Sequence, residues 1–366
     1  MAAKGLQNIV VGETKHSLVE GEKGQLVFHG YEIQDLAQHA TFEEVAYLLW
    51  HGQKPTDAHA RALRAEMAQH RSLPSNVIQI LRALPTSAEP MDALRTGVSA
   101  LGATNPGTNI DLEHALALTA QVATVIAVFH RLRHGLEIIP PRADLDHGSN
   151  YLFMITGKEP TAAQRTMINV YLVLLADHGM NASTFTARVI TSTGSDLYSA
   201  VTGAIGALKG PLHGGAPSKV LDMLDAVGTP ENAETWIRGA LARKERLMGF
   251  GHRVYKTTDP RAEILRETAR AYSEPELFRL AQTVEDRALE ILHETKPEQR
   301  LYTNVEFYSA AVMHAVGLPR DLFTATFAAS RTAGWTAHIL EQAADNRLIR
   351  PDVEYTGPMG LQWNAT

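Results

Sequence analysis

The chain contains no cysteine among its 366 residues, which excludes disulfides, thiolate zinc sites and cysteine nucleophiles. Its start, MAAKGLQNIVV, lacks a basic stretch leading into an apolar one and is neither Arg-rich nor amphipathic, so no leader is expected. Long apolar runs are missing too. The longest, Ala115 to Phe129, is interrupted by Thr119, Gln121 and Thr124 and falls short of the ~20 residues that a bilayer span requires. It reads as a buried core helix. Excess positive charge is also absent: a formal net charge of −6 and a pI near 6.2 offer no bulk attraction to nucleic acid or anionic lipid. Any anionic ligand must be held by local clusters of Arg, Lys or His. A soluble, cytoplasmic protein is the expectation.

What is present is an ordinary globular composition, 45% apolar and 20% charged. The length exceeds what one core usually holds, so two lobes are expected. The only strand material lies in the first 30 residues, where Ser17-Leu18-Val19 and Gln25-Leu26-Val27-Phe28 flank the polar turn Glu20 to Gly24. Thr41-Phe42-Glu43-Glu44 fits a capping box that opens a helix through Trp50. Helical periodicity then recurs over 57–70, 91–101, 111–134, 161–177, 181–193, 196–208, 217–226, 231–247, 261–271, 275–294, 304–316, 320–329 and 331–346. The fold class is therefore all-α with a minor N-terminal hairpin. The chain becomes more charged around 228–300, which places a smaller lobe at 216–315 and a discontinuous larger one at 1–215 and 316–366.

Four stretches set ionisable residues among glycines and apolar residues. In Gly210-Pro211-Leu212-His213-Gly214-Gly215-Ala216-Pro217, a helix starting after Pro217 would put His213 at its positive end, favouring a neutral imidazole able to donate to an oxyanion. The plainer reading is a turn histidine, and the segment is not a Walker loop because no Lys-Ser/Thr follows. In Met248-Gly249-Phe250-Gly251-His252-Arg253-Val254-Tyr255-Lys256, the glycine amides can approach a phosphate or adenine, with Arg253 or Lys256 supplying charge. Asp259 and Pro260 then read as N-cap and N1 of a helix whose first turn holds Arg261, a cation against the macrodipole that suggests a bound anion or a surface pair with Glu263. Thr303-Asn304-Val305-Glu306 is a capping box on its face, yet its carboxylate could serve as a general base. On a fourth stretch, Arg331, Trp335 and His338 share one helix face, suited to carboxylate binding or to an internal ion pair. A fifth, Asp177-His178-Gly179, reads by default as a helix C-cap.

Taken together, and in this order, the segments resemble the citrate synthase family in its short prokaryotic form. The likeness runs from Gly5-Leu6 and Phe42 to Leu49, through Leu94 to Leu101, Asp177-His178 with Ser183-Thr184-Phe185 and Gly210 to Gly215. It continues through Gly249 to Lys256 with Asp259-Pro260-Arg261, and ends at Ser330-Arg331 with Gly334-Trp335 and Ala337-His338. The resemblance implies a two-domain helical homodimer with a cleft between the domains. It implies an acyltransferase that converts the acyl group to alkyl on transfer, condensing acetyl-CoA with oxaloacetate through an enol or enolate and then hydrolysing the citryl thioester. By motif match, His213 would stabilise the enolate, His252 would act on the ketone oxygen of oxaloacetate, and Glu306 would be the base. His178, His252, Arg261 and Arg331 would hold oxaloacetate, joined by Arg350 of the partner subunit. Met248, Gly249, Phe250, Gly251, Arg253 and Lys256 would contact CoA. The thioester is a substrate; no cofactor and no metal is expected.

Three departures from the family's pattern stand out. Glu306 occupies the place of the usual Asp, Pro217 and Gly179 replace more frequent residues after His213 and His178, and His29 precedes Gly30-Tyr31 where Arg is typical. Rival readings are a 2-methylcitrate synthase using propionyl-CoA, citryl-CoA cleavage, a catalytically impaired CoA-binding paralogue, and a His-dependent metal hydrolase.

Overall fold

The computed structural model describes residues 4–6, 9–105, 107, 110–214, 216–252 and 254–362. Among them the chain opens with a three-stranded antiparallel sheet of β1 (Ser17–Glu20), β2 (Gln25–Phe28) and β3 (Tyr31–Glu32), with Ser17 opposite Phe28 and Glu20 opposite Gln25. The expected hairpin is there, and β3 adds a short third strand. Helices follow as α1 (Ile33–His39), α2 (Phe42–His51), α3 (Asp57–His70), α4 (Ser75–Ala83), α5 (Pro90–Thr104) and α6 (Leu112–Arg133). Next come α7 (His147–Thr156), α8 (Ala162–Leu175), α9 (Ala182–Ser192), α10 (Leu197–Lys209), α11 (Ala216–Val227) and α12 (Ala233–Ala242). The last are α13 (Pro260–Tyr272), α14 (Pro275–Thr295), α15 (Val305–Ala315) and α16 (Phe323–Ala344).

Local chemistry explains the boundaries. Thr41 caps α2 with both bonds of the capping box, and Gly52 ends that helix in the left-handed region at φ 71°. Asp259 caps α13 and Pro260 opens it, as the sequence predicts. Two expectations are corrected. The N-cap of α15 is Asn304, whose side chain accepts from the Glu306 amide, so Thr303 closes no capping box. The segments 320–329 and 331–346 are not divided at residue 330: after a 3-10 turn at Arg320–Leu322, the single helix α16 runs unbroken over Phe323–Ala344.

Helices α6 and α16 form the centre. The described residues of α6 are long and apolar enough to cross a membrane, but the helix is enclosed by α3, α5, α7 and α16. Helix α16 is buried along most of its length against α2, α6, α8, α9 and α10. It carries Thr326, Ser330, Thr332 and Thr336 into the core at no cost in unmet polarity. Each threonine hydroxyl donates to the carbonyl four residues earlier, and Ser330 donates to Leu172 O. Helices α11 to α15 pack mainly on one another, while α13 and α15 also rest on α8, and α11 on α16.

Candidate active site

Two distant stretches are joined by backbone pairing. Phe250 and Thr303 form an antiparallel bridge, the Gly251 amide donates to Tyr302 O at 2.7 Å, and the Asn304 amide donates to Gly249 O at 2.9 Å. This pairing sets His252 beside the start of α15, where Glu306 stands. Gly249 and Gly251 have φ of 85° and 84°, and a Cβ on Gly249 would lie 2.7 Å from Phe307. The glycines therefore serve close approach of the chain to itself. The His252 ring is fixed at Nδ1, which accepts the amides of Val254 and Tyr255, each at 3.0 Å. The ring proton accordingly sits on Nε2.

The opposite wall is built around the junction of α8 and α9. Arg331, Trp335 and His338, one face of α16, all reach it. Arg331 Nε donates to Leu175 O at 2.6 Å, Trp335 Nε1 donates to Ser183 Oγ at 3.1 Å, and His338 Nε2 lies 3.3 Å from Asp177 Oδ1. The buried Asp177 carboxylate also accepts from Ser17 Oγ and the Gly179 amide, which fixes the turn carrying His178. Ser183 presents its amide and hydroxyl to His213 Nε2, at 3.3 and 2.8 Å. An amide donating there leaves the His213 proton on Nδ1.

Between these walls runs a cleft of about 1230 Å³ lined by His178, His213, His252, Arg261, Glu306 and Arg331, together with Phe327 and Asn181. The His178 and His252 rings meet edge to face at 5.5 Å, and Tyr255 Oη lies 3.2 Å from His178 Nε2. Burial, reinforced by Arg331, lowers His213 to about 4, and burial with Arg261 does the same to His252. His178 falls well below its ordinary value for the same reason, burial first and Arg261 second. All three imidazoles are neutral donors or acceptors near neutral pH. Glu306 moves the other way: burial raises it to about 7, against the opposing pull of Arg261 and Arg246. The cleft thus combines a proton acceptor poised near neutrality with neutral N–H donors and two guanidiniums.

Arg261 is buried and clamped by Asp259, Nε to Oδ1 at 3.0 Å and Nη2 to Oδ2 at 2.8 Å. Its partner is therefore Asp259 and not Glu263, and the macrodipole is offset from within the chain. Of the residues expected at CoA, Phe250, Gly251 and Lys256 line the cleft. Met248 and Gly249 do not: Met248 packs on the core and Gly249 abuts Phe307. Arg253 lies outside the described residues. Arg350 is on the exposed C-terminal segment, 3.9 Å from Asp352, and does not reach this chain's own cleft. Sequence reasoning left Ser183 and Tyr255 without an individual role and read Asp259 only as a helix cap, not as the partner of Arg261. The signal for Asp259 was its N-cap position two residues before a cation; Ser183 and Tyr255 carry no such pattern.

His16, His338 and Glu341 bring ligand-type atoms within 4.8 Å of one another. Arg188 Nη1 already bonds both His338 Nδ1, at 2.9 Å, and Glu341 Oε2, at 2.6 Å. The guanidinium occupies the place a cation would take, so the cluster is an internal ion-pair network.

The sequence family described as "Citrate synthase, C-terminal domain" matches residues 5–352. The chain is 44% identical to the citrate synthase of Haloferax volcanii, over 98% of this chain and 97% of that protein. It is 38% identical to the 2-methylcitrate synthase of Shewanella oneidensis, over 98% and 95%. Its fold superposes with a TM-score of 0.93, at 31% identity and over 99% and 98% of the two chains, on a solved ternary complex. That complex holds carboxymethyl coenzyme A and oxaloacetate on citrate synthase from the archaeon Thermoplasma acidophilum.

Proposed function

The chain belongs to the citrate synthase family and performs its type of condensation, and from that premise we propose acetyl-CoA as the acyl donor and the cleft residues as its machinery. In this reading Glu306 removes a proton from the thioester methyl while His213 Nδ1–H donates to the thioester oxygen. Base and donor act together because the methyl is a very weak acid. The enol carbon attacks the ketone of oxaloacetate, whose oxygen takes the proton from His252 Nε2. Water then cleaves the citryl thioester, releasing CoA. Arg261, Arg331 and His178 hold the oxaloacetate carboxylates, with Arg350 supplied by the partner subunit of a cytoplasmic homodimer. Residues 216–315 form the CoA-side domain, and 1–215 with 316–366 the larger one.

The observation that carries this reading is the meeting of His213, His252 and Glu306, far apart in the sequence, on one cleft with two buried guanidiniums. The similarity to a 2-methylcitrate synthase over nearly the whole length of both chains supports propionyl-CoA as the second reading. Thiol release measured with each thioester and oxaloacetate tests both. Higher kcat/KM with acetyl-CoA supports the proposal, higher kcat/KM with propionyl-CoA supports the alternative, and no release with either overturns both.

A further inference from the structure

The β1–β2 hairpin touches two of the cleft's histidine-bearing loops. At one end of the hairpin, Ser17 Oγ bonds Asp177 Oδ2 at 2.5 Å and accepts the Gly179 amide at 2.9 Å, bracketing His178. At the other end, Gly21 O accepts the Lys256 amide at 3.0 Å. Gly21 also lies so close to the Val254 carbonyl that an added Cβ would sit 2.2 Å from the oxygen and 2.8 Å from the carbon. Both contacts are to backbone, which cannot swing aside as a side-chain tip does.

The geometry points to Gly21 as a positioning residue for His252, acting through the peptide unit that joins Val254 to Tyr255. The carbonyl of that unit faces Gly21. Its N–H, on Tyr255, donates to His252 Nδ1, as does the Val254 amide. A peptide is rigid and planar, so its two ends cannot move independently. Turning the carbonyl away from a side chain at position 21 swings the Tyr255 N–H off the imidazole. His252 then loses one of the two amide contacts that keep its proton on Nε2, and Tyr255 shifts relative to His178, which its hydroxyl meets at 3.2 Å. The absence of a side chain at Gly21 thereby selects the tautomer that can donate to a ketone oxygen. This inference rests on the role proposed for His252 above.

The test compares Gly21→Ala with Gly12→Ala, a substitution whose Cβ meets nothing within 4 Å. Turnover of acetyl-CoA with oxaloacetate and the ¹⁵N chemical shifts of labelled histidine are read on the full chain. Gly21→Ala is expected to lower kcat by about 10²-fold, the scale for ~1 Å of misplacement. It is also expected to convert the His252 signal from a pure Nε2–H tautomer to a mixture, while Gly12→Ala matches the wild type. Wild-type kcat in folded Gly21→Ala overturns the inference, as does a loss of kcat with the tautomer unchanged. Should Gly21→Ala not fold, the wild-type spectrum still decides, because a proton on His252 Nδ1 overturns the inference alone. A wild type without turnover would sink the functional reading instead, leaving the tautomer comparison intact.

Discussion

Ser183 meets His213 Nε2 twice, through its hydroxyl at 2.8 Å and its amide at 3.3 Å, and the same hydroxyl accepts Trp335 Nε1 at 3.1 Å. One small side chain therefore orients the imidazole and satisfies a fully buried indole. Ser183→Ala keeps the amide contact and removes the hydroxyl. Stability should fall by about 1–3 kcal/mol, because the Trp335 N–H is left unpaired in the core. The kcat should fall by about 10–100-fold, since a ring free to tilt no longer aims Nδ1–H at one point. Denaturant titration and steady-state kinetics check the two effects separately.

Glu306 is raised to about 7 by burial. A base must be ionised to act, so kcat/KM should rise with pH and level off above about 7, its acid limb following that carboxyl. Glu306→Gln should remove the limb and lower kcat by about 10²–10⁴-fold. Arg246, exposed on the cleft rim, pulls the carboxyl down. Arg246→Gln should therefore move the acid limb upward, and a pH–rate profile that shifts downward or not at all would contradict the assignment.

Much of this was legible in the sequence because the relevant signals are local. Caps such as Thr41 and Asp259, and the 3.6-residue periodicity of the longer helices, mark where helices begin and which faces are apolar. Helices α1, α4 and α7 escaped the reading. Each spans only 7–10 residues, too few turns for periodicity to stand out. Helix α16 looked divided because Ser330, Arg331 and Thr332 interrupt its apolar face, yet tertiary carbonyls satisfy the first two and the helix's own Ala328 carbonyl satisfies the third. The site's motifs were identifiable as segments. The partners Ser183, Tyr255 and Asn304 were not assigned, since what selects them is backbone pairing of 249–251 with 302–304 and packing of α16, neither of which leaves a spacing in the chain.

His147 is fully enclosed, stacked on Phe42 at 5.0 Å, and burial lowers it to about 3. His130 is lowered to about 4 for the same leading reason. The unfolded chain binds these protons near the ordinary histidine value of about 6.5. Below that pH the unfolded state holds more protons than the folded one. Stability is thus in full above pH ~6.5 and declines as pH falls toward 3–4, by up to about 1.4 kcal/mol per pH unit per group. Urea unfolding at pH 8 and 5.5 should show the loss, and His147→Phe should flatten it. An unchanged slope in that variant would assign the acid sensitivity to other groups.

Gly334 sits mid-helix in α16, where its amide donates to Ala176 O at 3.1 Å. A Cβ there would stand 2.4 Å from that oxygen and 2.6 Å from Asp177 Oδ1. Helix propensity alone would make Gly334→Ala stabilising by up to about 1 kcal/mol. The clash runs the other way and is larger, because the obstructing atoms are a backbone carbonyl and a carboxylate already held by Ser17 and Gly179. Net destabilisation of about 1–3 kcal/mol is expected, the usual range for overpacking. The displaced turn carries His178, and the displaced helix carries Arg331. The KM for oxaloacetate should therefore rise more than the KM for the thioester, and equal changes in the two would place the strain outside the oxaloacetate side of the cleft.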